Sequence, residues 1–207
     1  MKKTSIMAAL AAAVLAGCGG SGTHGKPASA DLFTDTRDGK SYRKVAIGTQ
    51  IWMAENLNYA AEGSKCYDNK EENCAKYGRL YVWSAAVTAC PAGFHLPNNA
   101  EWMELARGAG EEKEAGTNLK SAEGWESEGG VPESTDKHGF SALPGGYGSY
   151  GVSGDFCCAG SIGRWWSATD WIVALYAGVL EMRHNSERVD WFDVDKAFQF
   201  SVRCVQD

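Results

Sequence analysis

The sequence lacks the motifs that most readily indicate an enzyme. It contains no Cys-x-x-Cys pair or accompanying histidine pattern of the kind that binds zinc. It also has no phosphate-binding glycine loop, no Ser/His/Asp order typical of hydrolases and no internal repeat. Its one long apolar run at the N-terminus, Ile6 to Val14, is too short to span a bilayer as a mature helix. We therefore expect no cofactor and no catalytic residues.

The N-terminus resembles a bacterial lipoprotein signal peptide. Lys2 and Lys3 precede the apolar run, and Leu15-Ala16-Gly17-Cys18 has the order of a lipobox. The resemblance implies cleavage before Cys18 and acylation of this cysteine with palmitate or a similar chain, because two or three acyl chains anchor a protein stably. The alternative is an ordinary signal peptide followed by a chance cysteine.

The charge balance excludes one class of partner. Removal of residues 1–17 takes away Lys2 and Lys3 and leaves 18 basic residues against 26 acidic ones, a net charge of −8. Such a chain is not suited to bind nucleic acid or anionic lipid through a basic patch. The lipid is then the membrane attachment. Gly19 follows the anchor instead of an acidic retention residue, which favours the outer membrane but leaves its periplasmic or surface face open.

Three segments are expected: a signal peptide (1–17), a lipidated cysteine with a flexible linker (18–31), and a single domain (32–207). The linker is rich in Gly and Ser and spans roughly 20 Å as a coil. Eight Trp, eight Tyr and seven Phe give the domain a large apolar content, and 25 Gly indicate many turns. We predict a loop-rich α+β fold.

The pattern predicts two short helices packed on a mostly antiparallel sheet. The first helix ends near Cys90, and the second begins after Asn98, whose cap is completed by Glu101, and stops at Gly108. A hairpin around Asp38-Gly39 precedes them, followed by a polar loop over 59–78. Further strands are expected at 140–143, 165–167, 175–182, 188–194 and 198–205.

Six cysteines remain after Cys18, and in an oxidising compartment they would form disulfides in one of fifteen pairings. Cys66 and Cys74 bracket the polar loop, and Cys90 and Cys204 end two distant apolar elements. A bridge between the latter two would stabilise the fold by about 4–5 kcal/mol. Cys157 and Cys158 are adjacent; a strained vicinal bridge, two free thiols and exchange with the Cys66/Cys74 pair all remain open.

Several motifs are similar to those of the Fibrobacter succinogenes major paralogous domain, over about residues 32–207. They are Arg37 to Tyr42, Ile47 to Tyr59, Gly78 to Trp83, Cys90 to Pro97, Gly139 to Tyr147, Trp165 to Ser167 and Ser201 to Val205. The resemblance implies a secreted or surface protein, often a lipoprotein, of fibre-degrading and related bacteria. It brings no catalytic residues, and the pair Cys157-Cys158 has no counterpart in its pattern.

A more distant resemblance concerns the C-type lectin-like fold, which the formylglycine-generating enzymes share. It is carried by Trp83 to Cys90, Gly93 to Leu105 and the terminal Arg203-Cys204. It supports a Cys90–Cys204 bridge and a disulfide-stapled domain. It does not transfer sugar binding, because the calcium-binding triplets of the lectins are absent and Leu96 stands where a carboxylate is needed.

Candidate ligand-binding residues are aromatic side chains in or beside Gly-rich turns, where rings often line a surface and can stack on sugars. They are Tyr147, Tyr150, Trp166 and Trp171. Packing in the core is the alternative. Since neighbours in a strand point to opposite faces, at most one of Trp165 and Trp166 should contribute to a shared surface.

Other candidates have a plainer interpretation. His95, between Phe94 and Leu96, is expected to be a satisfied core histidine. Trp52, Trp83, Trp102 and Trp125 are expected in the core. Asp190, Asp193 and Asp195 are weak calcium candidates, with solvated carboxylates as the alternative.

The sequence thus favours a lipid-anchored, non-enzymatic envelope domain that binds plant-fibre polysaccharide or an envelope protein. One alternative is an oxidoreductase similar to the formylglycine-generating enzymes that uses Cys157 or Cys158. The other is a purely structural envelope component.

Overall fold

The computed structural model describes residues 31–127, 133–149, 155–170 and 175–207, which form an α+β fold. Within these ranges the helices are α1 (Glu71–Tyr77), α2 (Trp83–Ala89), α3 (Asn99–Gly108) and α4 (Glu111–Leu119), with a 3-10 turn at Tyr67–Asn69. None of the helices in these ranges combines the length and the apolar character that a membrane crossing requires.

Thirteen short strands complete the described fold. They are β1 (Leu32–Thr34), β2 (Ser41–Ile47), β3 (Gln50–Met53), β4 (Ser64–Lys65), β5 (Leu80–Val82), β6 (Phe94–His95), β7 (Tyr147–Gly148), β8 (Phe156–Cys157), β9 (Ile162–Asp170), β10 (Tyr176–Arg183), β11 (Val189–Asp195), β12 (Gln199–Ser201) and β13 (Val205–Gln206). One sheet has the order β1-β2-β3-β13-β6. The other has the order β11-β10-β9-β12-β5-β4, with β7 and β8 attached beside β12.

Pairing is antiparallel throughout the five-stranded sheet and almost throughout the larger one. The exception between named strands is β12 with β9, which are parallel. The predicted hairpin around Asp38-Gly39 is confirmed, with Phe33 opposite Tyr42. The single strand expected over 198–205 is wrong, because the chain leaves the large sheet after Ser201 and enters the small one at Val205.

The second predicted helix is confirmed in detail. Asn98 Oδ1 accepts hydrogen bonds from the backbone N–H groups of Ala100 and Glu101, at 2.8 and 3.1 Å. Glu101 Oε2 accepts from the Asn98 N–H at 2.8 Å, which completes the capping box. The helix α3 that follows ends at Gly108, as expected.

Three elements differ from the prediction. The helices α1 and α4 (Glu111–Leu119) are additional to the two that were predicted. The polar loop over 59–78 contains α1, which has Glu71 and Glu72 in its first turn and Lys76 in its last, charges that favour those helix ends. A seven-residue polar helix gives too little apolar periodicity to detect in sequence. The strand expected at 140–143 is absent as a named strand, and Ala142 makes only an isolated bridge to Lys120.

Two hydrophobic clusters contribute to the core, and β9 reaches both because its adjacent tryptophans point to opposite faces. Trp165 packs with Trp52, Trp102 and the helices α3 and α4. Trp166 packs with Phe200 and residues of α2. Trp52 and Trp102 are fully buried, whereas Trp83 and Trp125 are only partly buried at the edges of the clusters.

A buried arginine links the two sheets. Arg203, with no exposed surface, donates from Nε and Nη2 to Asn56 Oδ1 at 3.1 and 2.7 Å and from Nη1 to the carbonyls of Met53 and Phe140. The same Oδ1 accepts from Trp165 Nε1 at 2.8 Å. Burial lowers the pKa of Arg203 to about 9, so the side chain remains a cation at neutral pH.

Replacing Asn56 with alanine should destabilise the domain by roughly 3–5 kcal/mol, because it leaves a buried cation and an indole N–H without their shared acceptor. Urea unfolding followed by tryptophan fluorescence measures the loss. The matched control is Asn58→Ala, two residues away and only half-buried, which should change stability by about 0.5 kcal/mol or less. Equal midpoints for the two variants would contradict the role assigned to Asn56.

His95 is satisfied, as expected, but it does not lie in the core. Its side chain is 41% exposed, and it bridges Asp207 Oδ1 (2.7 Å from Nδ1) and Glu101 Oε1 (2.6 Å from Nε2). Burial alone would lower the pKa of His95, but the hydrogen bonds to Asp207 and Glu101 outweigh it and raise the pKa above its ordinary value. The imidazole of His95 therefore joins β6, α3 and the residue that follows β13.

This raised pKa predicts a pH-dependent contribution to stability. The contribution of His95 to stability is fully present when the pH lies below the unfolded-state pKa of about 6.5. This contribution is lost as the pH rises through the higher folded-state pKa. The stability difference between the parent protein and His95→Gln, measured by urea unfolding, should be larger near about pH 6 than near about pH 9. His138→Gln serves as the control variant. A difference for His95→Gln that does not change with pH would refute the prediction.

Candidate functional site

The strand β7 places Tyr147 at the surface of the large sheet. Tyr147 is half-buried, and β7 pairs with β8 on one side and with β12 on the other. Its ring lies 6.4 Å from that of Phe198 and 6.0 Å from that of Phe200, and the latter two rings are stacked 5.9 Å apart. Phe200 is fully buried, whereas Phe198 is half-buried. Tyr147 thus lies in a cluster of aromatic rings that extends from the buried core to the surface.

Arg164 lies at the centre of this cluster. Its guanidinium is 4.2 Å from the ring centre of Tyr147 and 5.2 Å from that of Phe192. Arg164 Nε donates to Glu181 Oε2 at 2.6 Å, and Glu181 is only 2% exposed. Arg183 donates to the other oxygen of the same carboxylate. The rings and the carboxylate together hold the guanidinium in one orientation.

Strand register places these groups on one face. Trp166 and Phe192 both lie opposite Val179, and Arg164 lies opposite Glu181. Directly opposed residues share a face of the sheet. We call the surface formed by Tyr147, Phe192, Phe198 and Arg164 the aromatic face.

The structure corrects the prediction for Trp166. It shares the aromatic face by register but is fully buried, with its ring 4.5 Å from that of Phe200 and its Nε1 donating to the Tyr81 carbonyl at 2.7 Å. A ligand cannot stack on a ring that has no exposed surface. The alternation of Trp165 and Trp166 was predicted correctly, but both faces of β9 are covered.

Tyr150 and Trp171, the other two ligand candidates, lie outside the described residues, as does the lipidation candidate Cys18. Sequence reasoning missed Phe192 and Arg164. Phe192 could have been found from the alternation of apolar residues in the strand predicted at 188–194. Arg164 carried no signal, because its position against the rings depends on strand pairing.

The three weak calcium candidates do not form one site. Asp190 lies opposite Glu181 and faces the aromatic side, whereas Asp193 and Asp195 lie opposite Gly178 and Tyr176 on the other side of the sheet. A calcium ion needs its oxygen ligands on one side. In the described ranges, the only group of His, Cys, Asp and Glu atoms close enough to hold a metal is Cys66, Glu71 and Cys74. The two sulfurs of that group are joined to each other.

The six cysteines form three disulfides. Cys66 pairs with Cys74 and Cys90 with Cys204. Cys157 and Cys158 form the vicinal bridge, with Cα atoms 3.7 Å apart and Cys158 at a φ of 69°. This bridge lies in β8 and the turn after it, with Cys157 directly opposite Tyr147. With the two sulfurs bonded to each other, neither is a free thiol.

Comparison with known proteins gives a family and no further relatives. No curated protein and no solved structure matches the chain. The Fibrobacter succinogenes major domain matches residues 45–206, which include the four described helices, the Arg203–Asn56 link and the aromatic face. The chain belongs to the Fibrobacter succinogenes major domain family.

Proposed function

We propose that this chain is a lipid-anchored, non-enzymatic binding domain of the cell envelope, and that its aromatic face attaches to neutral plant-fibre polysaccharide. The observation that carries the proposal is the set of half-buried rings of Tyr147, Phe192 and Phe198 on one face of the large sheet. Rings of this kind present flat apolar surface to the C–H groups of a sugar without an entropic cost for ordering long side chains.

The charges of this face favour an uncharged ligand. Arg164 and Arg183 are balanced by Glu181 and Asp190, all on the same side of the sheet. Arg164 and Arg183 each donate from Nε to Glu181, so both positive charges lie beside a carboxylate. A strongly anionic polymer would be repelled by Glu181 and Asp190 as well as attracted by the arginines, whereas a neutral polysaccharide meets no such opposition.

The attachment to the outer membrane is part of the same proposal. It rests on the lipobox-like Leu15-Ala16-Gly17-Cys18 and on the Gly/Ser-rich linker that follows. A tether of about 20 Å would hold the aromatic face close to the bilayer surface while leaving it free to turn toward a fibre.

The fold is proposed to be C-type lectin-like. The support is the bridge from Cys90, directly after α2, to Cys204, directly before the last described strand, which is the connection that this fold uses. The calcium-dependent sugar site of lectins is not part of the proposal, since its acidic triplets are absent from the sequence.

Retention on insoluble cellulose and xylan tests the binding proposal. The full-length protein in detergent should sediment with at least one of the two polymers, and the double variant Tyr147→Ala/Phe198→Ala should lose about tenfold in affinity, as expected for two lost ring contacts. The matched control is Tyr176→Ala, which removes an exposed ring from the opposite face of the same sheet.

Failure of the native protein to sediment with either polymer would overturn the polysaccharide proposal and favour a protein partner or a structural role. Equal losses of affinity for the double variant and for Tyr176→Ala would show that the aromatic face is not the binding surface. Circular dichroism and urea midpoints of all variants separate loss of binding from loss of fold.

The anchor is tested separately by metabolic labelling with palmitate. The native chain should incorporate the label and partition into detergent, whereas Cys18→Ser should do neither, because the thiol is the acylation site. Cys18→Ser that still carries the label would exclude Cys18 as the site.

A further inference from the structure

The face of the large sheet opposite the aromatic face carries a groove. It lies where the start of α3 meets β10 and β11, and its volume is about 190 Å³. It is lined by Asn99, Val179, Trp191, Phe192 and Asp193. Trp191 lies opposite Leu180, and Asp193 lies opposite Gly178, which places both side chains on the α3 side of the sheet.

Two polar atoms of the residues that line this groove have no hydrogen-bond partner. Asn99 Oδ1 and Trp191 Nε1 are both buried and unpaired in the described part of the chain. Leaving such a group unpaired costs about 1–3 kcal/mol. An acceptor and a donor are therefore both left unused around one small groove.

The other described indoles show that this is unusual for the fold. Each of them donates from Nε1 to a protein oxygen: Trp52, Trp83, Trp102, Trp125, Trp165 and Trp166. Trp191 is the exception among the tryptophans that the structure describes. A buried unpaired donor in a fold that otherwise satisfies its indoles indicates a place for a ligand.

Gly178 keeps the groove open on the side of β10. A Cβ atom at this position would lie 2.6 Å from Asn99 Oδ1 and 3.2 Å from Asn99 Nδ2. Any larger residue would push the Asn99 amide out of its place. The glycine in the middle of a strand is thus explained by the close approach of the amide.

We propose that this groove binds a single uncharged sugar residue, at a site that shares Phe192 with the aromatic face but not Tyr147, Phe198 or Arg164. A sugar hydroxyl both donates and accepts, so adjacent hydroxyls can satisfy Asn99 Oδ1 and Trp191 Nε1 together. The exposed carboxylate of Asp193 accepts a further hydroxyl, and the ring of Trp191 offers apolar surface. Asp193 and Asp195 lie on this side of the sheet and repel anionic sugars.

Binding requires a small local movement. Both unpaired atoms are shielded from solvent in the free protein, so the Asn99 amide or the Trp191 ring has to turn toward the ligand. Such a movement is favourable, because hydrogen bonds to the sugar offset the free-energy cost of leaving the two buried atoms unpaired. This site does not depend on the function proposed for the aromatic face.

Fluorine NMR of the full-length protein labelled with fluorotryptophan tests the proposal. Titration with glucose and with xylose should shift the Trp191 signal, assigned through Trp191→Phe, with a Kd of about 1 mM for at least one of the two sugars. The Trp125 signal should stay in place, because its indole is bonded to the Ala142 carbonyl away from the groove. Glucuronate should bind more weakly than glucose because of Asp193.

Asn99→Ala and Gly178→Ala should each weaken sugar binding by about tenfold, read from the same Trp191 signal. Asn58→Ala is the matched control and should bind as the native protein does. The double variant Tyr147→Ala/Phe198→Ala should also bind as the native protein does, so failure here is distinct from failure on insoluble fibre. A Trp191 signal that no sugar moves, equal binding by Asn99→Ala, or equal binding of glucuronate would each overturn the proposal.

Discussion

The fold depends on one buried cation. Arg203 lies between the last strand of the large sheet and the last strand of the small one. It donates to the Met53 carbonyl in the small sheet and to Asn56 Oδ1, which also accepts from Trp165 in the large sheet. Among the residues that the structure describes, no carboxylate is bonded to Arg203; its charge is compensated by Asn56 Oδ1, by carbonyl oxygens and by the ring of Phe140, 4.4 Å away. Because a buried guanidinium without its acceptors is very costly, the two sheets cannot shift relative to each other without breaking this set of bonds. The position of the sheets is thus fixed by polar groups at the meeting point of two apolar clusters.

Local signals in the sequence predicted local structure well. The capping box of Asn98 and Glu101, the turn at Asp38-Gly39 and the opposite directions of Trp165 and Trp166 each depend on a few neighbouring residues. The sequence did not predict helix α1, because a short polar segment has no apolar periodicity and because the position of this helix depends on the Cys66–Cys74 bridge. Burial was less predictable. Trp166 was a candidate for a surface position, but it is covered by groups from distant parts of the chain. The local sequence does not predict which strand will lie beside it.

The same limit applies to the two candidate sites. Tyr147 was identified as a candidate from its Gly-rich setting, but Arg164, which lies against the rings of both Tyr147 and Phe192, comes from a strand that is distant in sequence. The groove at Asn99 carried no signal at all, since an unpaired atom can be recognised only when every other hydrogen bond is known. One sheet therefore presents two chemically different surfaces. The side with Arg164 is rich in rings and balanced in charge, and the side with Asp193 carries the small groove and the carboxylates of Asp193 and Asp195.

The path of the chain through the two sheets also constrains how the domain can form. The strand β12 lies between β9 and β5, and β13 lies between β3 and β6, although β3, β5 and β6 all occur before residue 96. In each sheet, residues 199–206 supply an interior strand that joins the strands on either side of it, so neither sheet can be completed before the C-terminal end of the chain is present. Loop closure between segments so far apart in the sequence is slow. Until it occurs, the exposed strand edges can pair with other chains. A domain with this topology gains from being held apart from its neighbours until its last strands arrive.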